Sequence, residues 1–401
     1  MNDHKLHEAV ILSAVRTPVG KYAGKLSSVR ADDLAALIIT EAVKRAGIEP
    51  ADVDDVILGC SNQAGEDNRN IARMAVLLAG FPDSVPGVTV NRLCGSGLEA
   101  VNMAARSIML GDAEVIVAGG VESMSRAPLV TLKPEKGFPR GGMKLVDTTI
   151  GWRFVNPRWP SKYPTYEMGE TAENLAEKYG ISRERQDEFA FRSHERAIRA
   201  NDSGNFKDEI IPVHTGSEVV AVDEGPRRNT SLEKLSSLPP VFRKGGTVTA
   251  GNSSQISDGA SALLVASRDF ADSHNLKPIA RYVASSNAGV DPSYMGIGPI
   301  PATKKLLQKT GLTVKDFGVV ELNEAFAAQV LACLVEMPEL QETRLNPNGG
   351  AIALGHPIGC SGARIATTLV HEMKRINAKY GLATMCIGVG QGISTAFELE
   401  K

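Results

Sequence analysis

The sequence predicts an α/β fold. Two observations carry this. Short apolar runs rich in Val, Ile and Leu (AVILSAVR, DDVILGC, AEVIVAGG, ASALLVAS, FGVVELN, ATMCIGVG) alternate with helical stretches such as DDLAALIITEAVKRAG and SGLEAVNMAARSIMLG. Alternation of this kind means sheets covered by helices on both faces. The second observation is internal repetition. Gly47-Ile48 with Asp52, Val56 and Leu58 is echoed by Gly311-Leu312 with Asp316, Val320 and Leu322. Cys94-Gly95-Ser96-Gly97 is echoed by Cys360-Ser361-Gly362-Ala363, and Val117 to Gly120 with Ser125 by Cys386 to Val389 with Ser394. Three matches in chain order imply a duplicated α/β unit whose corresponding turns meet, bringing Cys94 close to the GHPIGCSGA turn.

The 401 residues are 43% hydrophobic and 22% charged, enough for two or three domains with sizeable cores. A formal net charge of −2 gives no pull toward nucleic acid or a membrane surface. No apolar run approaches the roughly 20 residues that span a bilayer. The start, MNDHKLHEAVILSAVRTP, lacks the pattern of a secretory or organelle leader, so a cytoplasmic location is expected. Five scattered cysteines with no CxxC pair argue against a disulfide framework and against a zinc site. From about Ser125 to Thr249 the pattern breaks. Phe138 to Pro164 is loop-like, and a helical pair follows (TAENLAEKYG, SRERQDEFAFRSHERAIRAN), with Ser182 as N-cap. This middle part reads as an insertion on the α/β core.

The stretch VNRLCGSGLEAV (Val90–Val101) reads as a strand end, a tight turn at Gly95 and Gly97, and a helix opening near Ser96. Two readings fit Cys94: a thiol whose pKa is lowered by a helix N-terminus, or a small residue buried at a corner. Three further stretches stand at strand ends or in Gly-rich turns: NEAF at Asn323, GHPIGCSG at His356 and CIGVGQG at Cys386. A cysteine nucleophile needs a base, and His356 sits between Gly355 and Pro357 in a rigid turn. His4, His7, His194, His214, His274 and His371 read as ordinary histidines. The glycines after Cys386 free backbone N–H groups for an oxyanion hole. Cys386 itself also fits a small apolar strand residue, and Asn323 a strand-end turn.

Together with SAVRTPVGKYAGKL, GGVESMSRAP, MGETAEN, GTVTAGNSSQISDGA and MGIGPIPA, these stretches resemble the thiolase family along essentially the whole chain. The resemblance implies a thiolase-like fold of two duplicated α/β/α/β/α halves. The first would span 1–124 and 250–272, the second 273–401, with a loop domain at 125–249 for coenzyme A binding and oligomer contacts. It implies thiolytic cleavage of a 3-ketoacyl-CoA through an acyl-cysteine, and the reverse condensation. Cys94 would be the nucleophile and His356 its activator. Cys386 would be an acid/base thiol titrating near neutrality. Asn323 would position a water for one oxyanion hole, and the N–H groups of Cys94 and Gly388 would form the other.

The resemblance also places Arg227 near the nucleotide, Ala250, Gly251 and Ser254 along the pantetheine, and Met168, Met295 and Phe326 in the acyl pocket. A solvated charge beside Arg228 stays open for Arg227, as does core packing for the methionines. No metal and no permanent cofactor are implied; coenzyme A and acyl-CoA are substrates, and a homodimer or homotetramer is expected. Val389 stands where many members have a third glycine, and Glu167 where acetoacetyl-specific members often have histidine. Thr149–Pro157 looks like degradative members with broader acyl range, and Cys360 reads as structural. The competing classes are a decarboxylating ketoacyl synthase, a cysteine hydrolase and a non-catalytic acyl-CoA-binding protein. Cys386 as the second polar partner weighs against the synthase. The paired thiols and the full-length motif match weigh against the hydrolase, for which Cys94, His356 and Asn323 are the right residue types. Competent residues at all four positions weigh against the non-catalytic protein.

Overall fold

Nine strands build one mixed sheet: β1 (Ala9–Arg16), β2 (Asp55–Gly59), β3 (Gly87–Val90), β4 (Val115–Ser123), β5 (Ser257–Ser267), β6 (Ala280–Gly289), β7 (Phe317–Leu322), β8 (Tyr380–Ile387) and β9 (Gln391–Leu399). The two-residue strand Gly20–Lys21 adds to β5. This computed structural model describes residues 6–138 and 140–400; His4 and Pro139, within the loop expected at Phe138 to Pro164, lie outside them. The longer helices are α1 (Ala31–Ala46), α2 (Ile71–Leu78), α3 (Ser96–Leu110), α4 (Met168–Tyr179), α5 (Arg183–Asp202), α6 (Pro299–Thr310), α7 (Ala327–Glu336) and α8 (Ile358–Ile376).

The strand order is β7-β8-β9-β6-β1-β5-β4-β2-β3. It reads the same outward from the β1/β6 junction. On each side two antiparallel pairings lead to a parallel one, β1-β5-β4-β2 and β6-β9-β8-β7. Each first strand carries an irregularity, between Ile11 and Ser13 and between Tyr282 and Ala284. The parallel partner β3 survives in the second half as one bridge, Val320 to Leu345. The halves join through Val10 and Ile11 paired with Arg281 and Ala280. The duplication read from the sequence is thus a duplication of topology. Gly47 and Gly311, the first echo, both end a helix in the left-handed conformation, at φ 75° and 70°, which glycine adopts without steric cost.

The α/β/α/β/α layering runs once across the molecule, because the halves share a middle helix pair. Val10 and Leu12 of β1 face a core with α1 and α2, whereas Ala9 and Ile11 face one with α3 and α8. A strand buried on both faces reads as the continuous apolar run AVIL. A third core joins β7, α6 and α7 to Ala172, Leu175 and Phe189 of α4 and α5. The helices of the inserted segment therefore pack on the second half. Ser182 caps α5 as expected, accepting the Arg185 N–H at 3.3 Å. Arg16 ties the insertion to β1 through buried ion pairs to Glu209 at 2.6 Å and Asp223 at 2.7 Å.

Gly97 is not a turn residue. It lies inside α3, where a Cβ would stand 2.7 Å from the Ala363 nitrogen and 2.9 Å from the Gly359 oxygen of α8. A Cβ at Gly362 would reciprocally meet the Leu98 nitrogen at 2.3 Å. The two helices cross backbone to backbone at their N-terminal turns, and side chains there would hold them apart. Gly97→Ala and Gly362→Ala are each expected to destabilise by about 1–3 kcal/mol or more. Thermal unfolding checks this; an unchanged midpoint in both variants is the contrary result.

Candidate active site

Cys94 sits between β3 and α3 in a turn forced by Leu93 at φ 47°. The turn is locked from within. Ser96 Oγ donates to the Leu93 carbonyl at 2.6 Å and accepts from the Arg92 N–H at 2.8 Å. Asn91 Oδ1 takes the Leu93 N–H at 2.9 Å. The helix opens at Ser96 as expected, and the Cys94 residue is partly exposed. Of the two readings open for Cys94, burial outweighs the lowering by the helix start. Burial pushes the Cys94 thiol up, and the Gly388 N–H and its own N–H pull down without winning. The resting group is a thiol and needs a base.

His356 follows Gly355, whose φ is 115° and where a Cβ would stand 2.2 Å from Ser257 Oγ. The His356 N–H donates to the Gln255 carbonyl at 3.0 Å. Its Nδ1 lies 2.5 Å from Ser361 Oγ, and Ser361 gives its own hydrogen to the Pro357 carbonyl at 2.8 Å. With the Ser361 hydrogen on that carbonyl, Nδ1 carries the ring proton and Nε2 is the basic nitrogen. Nε2 lies 3.5 Å from Asn323 Nδ2. Burial, then the Arg364 charge, lowers the His356 pKa to about 4, so the ring is neutral near pH 7. Asn323 stands at the end of β7 with its N–H on the Thr384 carbonyl at 3.0 Å. Its Oδ1 is buried and has no partner among the described residues.

Cys386 is the penultimate residue of β8 and is buried. Burial raises its thiol far above the ordinary value, and the negative charges of Cys94 and Cys333 as thiolates add to this. A near-neutral titration of the free enzyme's Cys386 is thus corrected upward, for the same reason as Cys94. Ile387 lies against Gly95, where a Cβ would stand 2.6 Å from its side chain, so the segments carrying the two thiols are neighbours. Gly388 faces Met168 Sδ and Leu93, which a Cβ would meet at 3.4 and 3.5 Å. Val389 next to it takes φ 63°, a strained conformation for a β-branched residue.

Met168 thus lies against the turn that carries Gly388, and Met295 and Phe326 share the third core with it. Phe242, absent from the sequence reading, meets Phe326 edge-on at 6.1 Å and covers Gly169. The stretch with Ala250, Gly251 and Ser254 is drawn toward NEAF by Ser254 N–H to the Ala325 carbonyl at 2.9 Å. Ala250 is exposed and Gly251 buried against Leu235 and Leu238. Arg227 stands apart on an exposed loop, its backbone N–H on His194 Nδ1 at 3.2 Å. Gln255 links that loop to the turn, donating to the carbonyls of Gly225, Ile352 and Ala353 at 3.2, 3.1 and 3.1 Å.

Sequence reasoning also passed over two buried acids inside quoted motifs. Glu122 of GGVES accepts from the Ser61, Asn62 and Gly359 N–H groups at 2.9, 3.2 and 2.8 Å. Glu324 of NEAF accepts from Ser193 Oγ at 2.6 Å and Asn346 Nδ2 at 2.8 Å. Cys60, Asp67 and Glu122 bring ligand-type atoms within 4.8 Å of one another, but Glu122 is spent on N–H donors, Asp67 accepts from Gly65 and Cys60 donates to the Asn62 carbonyl. Cys360 is buried with its thiol pushed up to about 12 by burial, an inert packing residue.

A partly exposed cysteine near a second thiol and a neutral buried histidine are the groups an acyl-transferring enzyme uses. Comparison with known proteins gives the family. Residues 9–269 match the thiolase N-terminal domain and 276–399 the thiolase C-terminal domain. The chain is 53% identical to the beta-ketoadipyl-CoA thiolase of Pseudomonas aeruginosa, over 98% of this chain and 99% of that one. The crystal structure of Bacillus anthracis acetyl-CoA acetyltransferase superposes with a TM-score of 0.94 at 44% identity, over 99% and 100% of the two chains. The structure of human mitochondrial 3-ketoacyl-CoA thiolase in complex with CoA does so at 0.93 and 43%, over 99% of each. The chain belongs to the thiolase family. It is an acyltransferase, and its fold is the thiolase fold.

His356 and His194 are both buried and both titrate at about 4 against an ordinary 6.5. Their contribution is full above pH 6.5 and is lost as pH falls through 4, about 3 kcal/mol for each. His194→Asn is expected to flatten the pH dependence of stability over that window relative to wild type, as read by urea titration. Parallel curves are the contrary result.

Proposed function

We propose that this thiolase cleaves 3-ketoacyl-CoA substrates whose acyl chain ends in a carboxylate, of the 3-oxoadipyl-CoA type, with coenzyme A as second substrate. The higher identity to beta-ketoadipyl-CoA thiolase than to the acetyl-CoA acetyltransferase and human structures supports the substrate class. The packing of the Cys386–Gly388 stretch against the turn that carries Cys94, Gly388 against Leu93 and Ile387 against Gly95, is the single observation that supports the chemistry. His356 Nε2 takes the Cys94 proton, and the thiolate adds to the C3 carbonyl. The C2–C3 bond then breaks, its electron pair forms the acetyl-CoA enolate, and Cys386 Sγ–H supplies the proton to C2. Coenzyme A attacks the acyl-cysteine, and its thiol proton returns the site to its resting state. A high resting pKa suits Cys386 as the acid, since a thiol that stays protonated is ready to donate. The Cys94 and Gly388 N–H groups hold the thioester oxygen, while Asn323 Oδ1 accepts from a water beside His356.

The same reading gives 125–249 to coenzyme A and subunit contacts, with halves at 1–124 plus 250–272 and at 273–401. Arg227 would meet the nucleotide, and Ala250, Gly251 and Ser254 the pantetheine. Exposed apolar side chains at Leu129, Leu132, Met143, Leu145 and Ile150 support a homodimer or homotetramer. Among the described residues no helix is long and apolar enough to cross a membrane, which is compatible with a cytoplasmic enzyme.

Initial rates with coenzyme A on acetoacetyl-, 3-oxohexanoyl-, long-chain 3-ketoacyl- and 3-oxoadipyl-CoA test the substrate. The expected order puts 3-oxoadipyl-CoA first. Activity confined to acetoacetyl-CoA would instead make this an acetyl-CoA acetyltransferase. Cys94→Ala is expected to lose at least about 10³-fold in rate while remaining folded, and to take no acyl mass increment in intact-protein mass spectrometry. A variant that still turns over defeats the mechanism.

A further inference from the structure

We infer that Asn346 is a positioning residue for catalysis: its side-chain amide grips both chain neighbours of Asn323 and so fixes where the Asn323 amide stands beside His356. This rests on the role proposed above for Asn323. The Leu322 N–H donates to Asn346 Oδ1 at 2.9 Å, and Asn346 Nδ2 donates to the Leu322 carbonyl at 2.8 Å. The same Nδ2 donates to Glu324 Oε1 at 2.8 Å. One amide thus takes the residue before Asn323 by its backbone and the residue after it by its carboxylate. Glu324 is anchored in turn by Ser193 Oγ of α5 at 2.6 Å and the Ile352 N–H at 3.2 Å, so the grip is on a fixed point. From the β8 side the Asn323 N–H donates to the Thr384 carbonyl at 3.0 Å. Held in this way, Asn323 places its Nδ2 at 3.5 Å from His356 Nε2.

The duplication explains why a side chain is needed there. Leu322 echoes Leu58, which puts Asn323 where Gly59 stands in the first half. In that half β3 runs beside β2 to its end, with Leu58 beside Thr89 and Gly59 beside Val90. The Cys60 N–H then donates to the Val90 carbonyl at 3.1 Å. The second half keeps this strand only as the Val320–Leu345 bridge and the Asn346 N–H on the Val320 carbonyl at 2.9 Å. The backbone then turns away, with Asn346 at φ 45°, a left-handed conformation that asparagine adopts more readily than most residues. Its amide offers a donor and an acceptor, as a peptide unit does, and replaces the lost strand at Leu322. Leu322, Glu324 and Asn346 are each 1% exposed. Water cannot substitute there, so a strand end deprived of the amide has to shift to find partners.

The test is a double-mutant cycle on kcat between Asn346→Gly and Asn323→Ala. Glycine suits the left-handed backbone and removes the amide alone. Rates are read on acetoacetyl-CoA and on 3-oxoadipyl-CoA with coenzyme A. Asn323→Ala is expected to lower kcat by about 10²-fold. Asn346→Gly is expected to lower it by about 10-fold, with KM for coenzyme A within about twofold. In the Asn323→Ala background, Asn346→Gly is expected to cost less than about twofold more, since no amide is left to misplace. Equal factors in both backgrounds mark a merely structural residue and overturn the inference, as does an unchanged kcat in Asn346→Gly. Asn346→Asp serves if the glycine variant does not fold. It keeps the shape and the acceptor for the Leu322 N–H but sets an oxygen against the Leu322 carbonyl and Glu324, and the same non-additivity is expected. An Asn323→Ala enzyme with wild-type kcat defeats the role of Asn323, and Asn346 with it. A slowed Asn323→Ala enzyme on which the Asn346 substitutions act additively defeats the Asn346 assignment alone.

Discussion

Two helices approach until their backbones touch, and the site depends on this. Gly97 of α3 lies against Ala363 and Gly359 of α8, and Gly362 of α8 lies against Leu98 of α3. Each helix starts just after a candidate catalytic position, α3 at Ser96 beyond Cys94 and α8 at Ile358 beyond His356. The contact therefore helps set the separation of Cys94 from His356, the nucleophile and base of the proposed mechanism. One methyl group at either glycine would widen it, and proton transfer tolerates little widening. Sheet duplication delivers the two turns to the same place. Glycine lets them close.

Around this crossing, buried acids act as clasps for loops that have no secondary structure to hold them. Glu122 collects backbone N–H groups from Ser61, Asn62 and Gly359, and Glu324 joins α5 to the Asn346 and Ile352 region. Burial raises both carboxyls above their ordinary values, and the hydrogen bonds from N–H and O–H groups oppose that shift.

The resting electrostatics favour neutral groups throughout. Both thiols are pushed up and His356 is pushed down, all chiefly by burial. No charge on these three groups waits in the pocket for solvent to quench. In the proposed mechanism, charge separation between Cys94 and His356 would arise only when the proton moves. A neutral resting site of this kind would stabilise charge where it develops and not in the free enzyme.

Much of this was legible in the sequence, because periodicity and local motifs act over short spans. Buried strands show as apolar runs, the helix ends at Gly47 and Gly311 as paired glycines, and the duplicated turns as echoes of Cys94 and Cys360. The chemistry-bearing residues stand in Gly-rich turns, so their types and places are visible too. Hidden were the quantities that depend on what lies opposite. Gly97 looks like a turn glycine until α8 is set against it. Cys94 fits an activated thiol at a helix start and a small buried residue alike until burial is counted. Ser361 becomes the partner of His356, and Gln255 the brace between two loops, only through contacts that the folded chain makes. Desolvation and close packing are sums over neighbours far apart in the chain, and only the tertiary structure decides them.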